Sequence, residues 1–225
     1  VGLIGPNGAG KTTVFNVITG VYAPTQGTIT LEGRDITGMR PDLITRLGVA
    51  RTFQNIRLFS RMSVIENILV SLHWRLGSSV FDAIFQNRKY RSEEASMRSR
   101  AMDLLARVNL DSVADLPAGS LPYGSQRRLE ICRALATEPR LLLLDEPAAG
   151  MNPAESIELM KFIGRIRDEF GLTILLIEHQ MRVVMGISER IVVLDHGIVI
   201  SQGTPREVSR DPRVIAAYLG VEQHA

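Results

Sequence analysis

The sequence predicts an α/β domain interrupted by an all-helical insertion. Three observations predict it. Strand-sized apolar runs alternate with helical patterns at both ends of the chain. The middle, from about Ser63 to Thr137, carries helical patterns and no convincing strand. And the chain opens on an apolar run, a glycine-rich turn and a helix pattern in immediate succession.

Val1-Gly2-Leu3-Ile4 reads as the end of a buried strand. Gly5-Pro6-Asn7-Gly8-Ala9-Gly10 is too rich in turn residues for regular structure. A helix starts at Lys11, with Val14, Phe15, Val17 and Ile18 apolar and Gly20 as its stop. Thr28 to Leu31 is a strand, Glu32-Gly33 a turn, Pro41 to Leu47 a short helix, and Val49 to Phe53 a strand. In the middle, one helix starts at Ser63 and another spans Ser92 to Val108, while Gly77 to Arg91 is ambiguous. Leu141 to Leu144 is a buried strand. Asn152 caps a helix with Pro153 at its first position; Ile157, Met160, Ile163, Ile166 and Phe170 form its buried stripe. Thr173 to Ile177 is a strand, and a helix lies near Met181 to Gly186. Arg190 to Leu194 and Ile198 to Ser201 are strands joined at Asp195-His196-Gly197. Thr204-Pro205-Arg206-Glu207 is a capping box, and Asp211-Pro212 starts a last helix that Gly220 ends. No internal repeat or low-complexity tract is present.

The bulk properties narrow the function. A chain of 225 residues holds one large domain or a domain with an insertion. Its net charge of +2, with basic residues scattered, gives no strong electrostatic case for nucleic acid. No apolar run approaches the roughly 20 residues of a membrane span. The single cysteine, Cys132, lies in a helical pattern away from other ligand residues, so it reads as packing and suits a reducing compartment.

Four stretches carry chemistry. Strand, then Gly5-x-x-x-x-Gly10-Lys11-Thr12, then helix is the phosphate-binding loop. Glycines let backbone N–H groups approach phosphate oxygens, the helix N-terminus adds partial positive charge, Lys11 adds a full one, and the Thr12 hydroxyl can ligate Mg²⁺. Leu141 to Leu144 runs into Asp145-Glu146-Pro147. Asp145 suits a role toward Mg²⁺, and Glu146 that of general base for a water attacking a γ-phosphate; read alone, they are equally two solvated charges at a sheet edge. Gln54 closes its strand where α/β sites collect ligands. It can reach Mg²⁺ or the attacking water, or be a loop glutamine. His179 ends the Thr173 to Ile177 strand in the same way, placed to hydrogen-bond a γ-phosphate or to be structural.

This ordered set resembles the ATP-binding subunit of an ABC transporter: Gly5 to Thr13, Gln54, Leu121-Pro122-Tyr123-Gly124-Ser125, Leu141 to Pro147 and His179, around a helical insertion. Arg51-Thr-Phe-Gln-Asn55, Tyr123 to Ile131, Asp145 to Pro153, Ile177-Glu-His179 and Val214 to Gly220 resemble the bacterial high-affinity branched-chain amino-acid importers. The resemblance covers essentially the whole chain. It implies a RecA-like phosphate-loop core over 1–56 and 138–204, a helical subdomain with the signature motif over 57–137, and a helical tail over 205–225. It also implies an N-terminal antiparallel β segment, with an adenine-stacking aromatic, before Val1.

Several expectations follow from the resemblance. ATP and Mg²⁺ are the cofactors. ATP is held by Gly5, Pro6, Asn7, Gly8, Ala9, Gly10, Lys11, Thr12 and Thr13 of one subunit and by the signature residues of the other. Thr12, Gln54 and Asp145 serve Mg²⁺, and Glu146, His179 and Gln54 catalysis. Two subunits, alike or different, close head to tail on two ATP molecules and drive membrane permeases at the cytoplasmic face of the inner membrane, with a periplasmic binding protein as indirect partner. The signature departs from Leu-Ser-Gly-Gly-Gln: Pro122 removes a serine hydroxyl, and Ser125 stands for glutamine. Gly124 keeps a backbone donor, and a helix from Ser125 keeps its dipole. The segment Arg57-Leu58-Phe59 with Arg61 is expected to meet the permease, or else Leu58 and Phe59 are core. Two other readings are an ABC ATPase for another cargo, such as lipid or lipopolysaccharide export, and a nucleotide-binding regulatory module that does not hydrolyse.

Overall fold

In a computed structural model, residues 1–72, 88–179 and 181–222 are described. Much of the ambiguous stretch from Gly77 to Arg91 lies outside them. The chain forms two compact units, Val1–Gln54 with Pro139–Ala225, and Asn55–Glu138.

The first unit is built on a six-stranded sheet in the order β4-β5-β6-β1-β7-β8. Here β1 is Gly2–Ile4, β4 Val49–Arg51, β5 Leu141–Asp145, β6 Thr173–Ile177, β7 Ile191–Asp195 and β8 Ile198–Gly203. Every pairing is parallel except β7 with β8. That last pair is the expected hairpin, and His196 and Gly197 turn it with φ of 46° and 80°, the doubly positive geometry of a tight hairpin. A separate two-stranded hairpin pairs β2 (Thr30–Leu31) with β3 (Arg34–Asp35). Apolar residues bury the central strands on both faces: Leu142, Leu143 and Leu144 of β5 are fully buried, as covered parallel strands require. The β1 register against β6 and β7 brings three strand C-termini to one edge, where the chemical motifs begin.

Helix α1 (Lys11–Ile18) buries Phe15 against Leu3, Ile44, Val49 and Leu143. Helix α2 is Pro41–Arg46. Later in the chain come α6 (Pro153–Phe170), α7 (Met181–Ile187), α8 (Pro205–Val208) and α9 (Pro212–Glu222). Both predicted capping boxes are present: the Asn152 and Thr204 side chains accept from N3 backbone N–H groups, and Glu155 and Glu207 answer. Two expectations need correction. Ile157 is 50% exposed; the helix phase puts Ser156, Leu159, Met160, Ile163 and Ile166 inward instead. Ile157 falls on the flank and lines an open groove with Val183 and Ile187 of α7. Nor does Gly220 end the last helix, which continues to Glu222; glycine weakens a helix interior without stopping it.

The second unit is helical among its described residues. Its helices are α3 (Val64–Leu72), α4 (Arg88–Arg107) and α5 (Tyr123–Leu135). Ile65, Ile68, Ala101, Leu105, Leu129 and Ile131 are among its buried side chains. Cys132 is buried there too, and burial pushes its thiol up to about 12, so it is inert packing.

Candidate functional site

The phosphate loop is shaped by close approach and by handedness. A Cβ on Gly5 would stand 2.1 Å from the Leu194 carbonyl oxygen, so only glycine lets the chain leave β1 against β7. Gly10 has φ 99° and is the N-cap of α1. The helix therefore begins with no side-chain cap and no acid in its first turn. Its first N–H groups lack intrahelical partners, which is what an anion needs. Lys11 is only 6% exposed, and its ammonium donates to the carbonyls of Gly5 (2.7 Å) and Pro6 (2.8 Å). Burial lowers its pKa, with Glu146 and then Asp145 opposing. The Gly197 N–H donates to the Ala9 carbonyl at 3.0 Å, so the β7–β8 turn props the loop from outside.

A pocket of about 350 Å³ is lined by residues 7–13 together with Glu146 and His179. Glu146 sits just past β5 with φ 46°, a conformation that strains a non-glycine residue and marks functional positions. Both of its carboxylate oxygens are engaged. Gln54 Nε2 donates to Oε2 at 2.7 Å. His179 Nε2 meets Oε1 at 2.5 Å, and beside an ionised carboxylate that nitrogen is the donor. Gln54, Glu146 and His179, from three strand ends, thus form one hydrogen-bonded group over the loop.

Asp145 is not a solvated charge at a sheet edge. It is 5% exposed, and its Oδ2 accepts from Arg51 Nη2 at 2.8 Å. Glu178 is another residue whose role the motifs did not announce. It is buried; its Oε1 accepts from the Ala148 N–H at 2.8 Å and its Oε2 from the His179 N–H at 3.2 Å. One carboxylate therefore ties the backbone after Glu146 to that of His179. The tail contributes as well. Tyr218 packs on the cluster that holds Ile4, and its hydroxyl hydrogen-bonds to the Gly5 backbone; burial raises its pKa and that hydrogen bond opposes the rise.

The Leu121-Pro122-Tyr123-Gly124-Ser125 segment belongs to the second unit. Its helix starts at Tyr123, with Pro122 as N-cap, two residues earlier than expected from Ser125. Tyr123, Gly124 and Ser125 therefore all lie in the first turn, where backbone donors have no helical partner. Behind them, Arg127 is fully buried, ion-paired to Glu130 at 2.6 Å, with its guanidinium 5.9 Å from the Tyr123 ring centroid. Glu130 also accepts from the Arg57 N–H at 3.2 Å. This pair links the signature helix to the segment after Gln54 within the unit.

A mostly parallel sheet with a glycine-rich loop at its strand ends and a carboxylate above that loop defines a nucleotide-binding domain of the phosphate-loop class. Residues 1–149 match the ABC transporter family, and residues 199–224 match the branched-chain amino acid ATP-binding cassette transporter family. The chain belongs to the ABC transporter family, as an ATP-binding ATPase subunit. It is 50% identical over 220 residues to the high-affinity branched-chain amino acid transport ATP-binding protein LivG of Salmonella typhimurium, covering 98% of this chain and 86% of that one. Identity to the corresponding protein BraF of Pseudomonas aeruginosa is 49%, with the same coverage. The ADP conformation of a solved ATP-binding cassette of an ABC transporter superposes with TM-score 0.83 at 33% identity, covering 97% of this chain and 87% of that one. Among the described residues, no helix is long and apolar enough to cross a membrane; a transporter ATPase subunit of this kind works with membrane permeases.

Proposed function

We propose that this subunit hydrolyses ATP to power import of branched-chain amino acids, with Glu146 as the base. The observation that carries the catalytic part is the strained Glu146 held by Gln54 and His179 over the phosphate loop. The loop N–H groups and Lys11 bind and orient the phosphates. Glu146 takes the proton of the attacking water. Gln54 and His179 fix which way its carboxylate faces, and His179 is placed to donate to a γ-phosphate oxygen. The hydroxyl of Thr12, the amide of Gln54 and the carboxylate of Asp145 are hard oxygen donors of the kind Mg²⁺ takes alongside phosphates. Bound there, Mg²⁺ would neutralise charge on the phosphates. Across the closed dimer, the first turn of α5 offers backbone donors to the second subunit's ATP; loss of the serine hydroxyl at Pro122 leaves that role to the main chain.

The cargo reading rests on the tail match and on the relatives' names. It implies a periplasmic binding protein and a peripheral position on the inner membrane. Reconstitution with the cognate permeases tests it. A binding protein loaded with leucine, isoleucine or valine should stimulate ATP turnover, and one loaded with lysine should not. Equal stimulation by both would reject the cargo.

Permease coupling is read from Phe59. Phe59 is 49% exposed, so it is not core, while Leu58 is half-buried. The fully buried Asn67 pins the Phe59 main chain from both sides, accepting its N–H at 3.0 Å and donating to its carbonyl at 3.1 Å. Arg133 lies 5.4 Å from the ring centroid. A fixed aromatic with a cationic rim suits an apolar plug from a membrane partner. Phe59→Ala and Arg61→Glu should abolish permease-stimulated turnover and leave basal turnover and Tm nearly unchanged. A sharp fall in Tm for Phe59→Ala would place the docking surface elsewhere.

A further inference from the structure

We infer that Arg51 is a positioning residue for Asp145: it locks one carboxylate oxygen so that the other is presented to Mg²⁺. The inference rests on the reading of Asp145 as the Mg²⁺-facing carboxylate. Arg51 ends β4, the neighbour of β5, and the register sets Arg51 beside Leu143, two residues before Asp145. Both side chains of the pair are more than nine-tenths buried. The guanidinium fork is divided between two acceptors, Nη2 to Asp145 Oδ2 at 2.8 Å and Nη1 to Asn16 Oδ1 at 2.7 Å. Asn16 lies on α1, and its carbonyl accepts the N–H groups of Val21 and Tyr22. One side chain thus joins the helix that carries the phosphate loop to the strand that carries the acid.

The packing shows that the fork is held and not merely paired. The Phe15 and Phe53 ring centroids lie 5.4 and 5.2 Å from the guanidinium carbon, an arrangement an aromatic–guanidinium contact favours. Arg51 Nε is buried with no partner. A buried donor left unpaired is a cost, accepted here to direct the two terminal nitrogens at Asn16 and Asp145. With Oδ2 engaged by Arg51, Oδ1 is the oxygen left to meet a cation or its water. Lysine could keep the charge but not serve two acceptors in a plane, because its ammonium is a point donor on a flexible stem. The Arg51→Lys variant therefore removes the geometry and leaves the electrostatics.

The test measures affinity for a fluorescent ADP, with EDTA and across a Mg²⁺ titration. For Arg51→Lys, binding in EDTA should match wild type, because the phosphate loop is intact. The Mg²⁺ concentration giving half of the Mg²⁺-dependent change should rise about tenfold, as for loss of a group that orients a metal ligand. Asn16→Ala, which frees one arm of the fork, should shift it the same way by less. An unchanged Mg²⁺ midpoint in both variants would overturn the inference and leave a structural ion pair. So would an equal loss of affinity with and without Mg²⁺. If Arg51→Lys does not fold, Asn16→Ala alone decides by the same criterion. Asp145→Asn run in parallel separates the two readings: if it moves the Mg²⁺ midpoint and Arg51→Lys and Asn16→Ala do not, the role of Arg51 alone has failed; if it too leaves the midpoint unmoved, the Asp145 assignment has failed and the role of Arg51 with it.

Discussion

Two kinds of helix N-terminus stand in contrast among the described residues, and they differ in whether a side-chain cap is present. Helices α3, α6 and α8 begin with complete capping boxes, from Ser63 with Glu66, Asn152 with Glu155, and Thr204 with Glu207. In each, the cap side chain accepts the N3 N–H and the N3 glutamate accepts the N-cap N–H; in α3 the Val64 and Ile65 N–H groups donate to the Leu116 and Ala114 carbonyls. Helices α1 and α5 open on glycine and proline instead, with no side-chain cap and no acid in the first turn. Helix α2 also lacks a side-chain cap, but Asp42 stands in its first turn. The difference teaches that a helix can keep its orphan donors and positive dipole end for a ligand only by giving up the residues that would stabilise it alone. In both α1 and α5 that end coincides with a segment proposed above to contact ATP.

The largest effects should come from the uncapped end of α1. Lys11→Ala removes the buried cation there and should drop ATP binding and turnover below detection, with circular dichroism unchanged. Wild-type turnover in a folded variant would remove this helix from the comparison. Next, Glu146→Gln should cut turnover by about a hundredfold or more, the size of a general-base contribution, while sparing ATP binding. An unhydrolysed ATP shared by two subunits should then hold a dimer visible by gel filtration with ATP and Mg²⁺. A monomer that turns over normally would show that Glu146 is not the base.

Ser125→Asp converts α5 to the other kind of N-terminus. An acid in the first turn should stabilise the helix by roughly 0.3–1 kcal/mol. Facing a phosphate, it should also lower turnover of the assembled transporter about tenfold or more, since like charges brought together cost several kcal/mol. A variant that is both more stable and fully active would mean that α5 does not offer its N-terminus to an anion. Thr204→Ala does the reverse at a capped end: it should cost about 1 kcal/mol in urea unfolding with turnover unaffected.

The smallest effect is one of pH, at the start of α9. Hydrogen bonds from Arg213 and Ser201 hold the Asp211 carboxyl well below its usual range. Its folded value lies below its unfolded one, so its contribution is complete above about pH 4. That contribution fades as pH falls toward the folded value. The acid side of a Tm–pH profile should therefore be shallower for Asp211→Asn, and an unchanged slope would leave Asp211 without a role in holding the tail.

Motifs with a fixed local geometry were legible from residues alone. Gly5 to Thr12 dictates strand, loop and helix because glycine spacing and Lys11 act within one turn. The capping boxes were equally plain, since cap and partner stand three residues apart. So was the β7–β8 hairpin, whose turn chemistry is local. What the sequence could not show was which distant side chains meet. Ile157 fits the apolar period yet lies on the flank, because only the neighbouring helix decides which arc of α6 is covered. Asp145 and Glu146 are consecutive acids with opposite surroundings: one is buried on Arg51, the other is strained toward Gln54 and His179. Arg51 and Asp145 are separated by 94 residues, and Gln54 and Glu146 by 92. Parallel strands bring such partners together only through crossovers and register. The sequence by itself determined the chemistry available at each strand end. The tertiary structure decided which of those ends face one another, because pairing across a sheet depends on strand order, which no local pattern encodes.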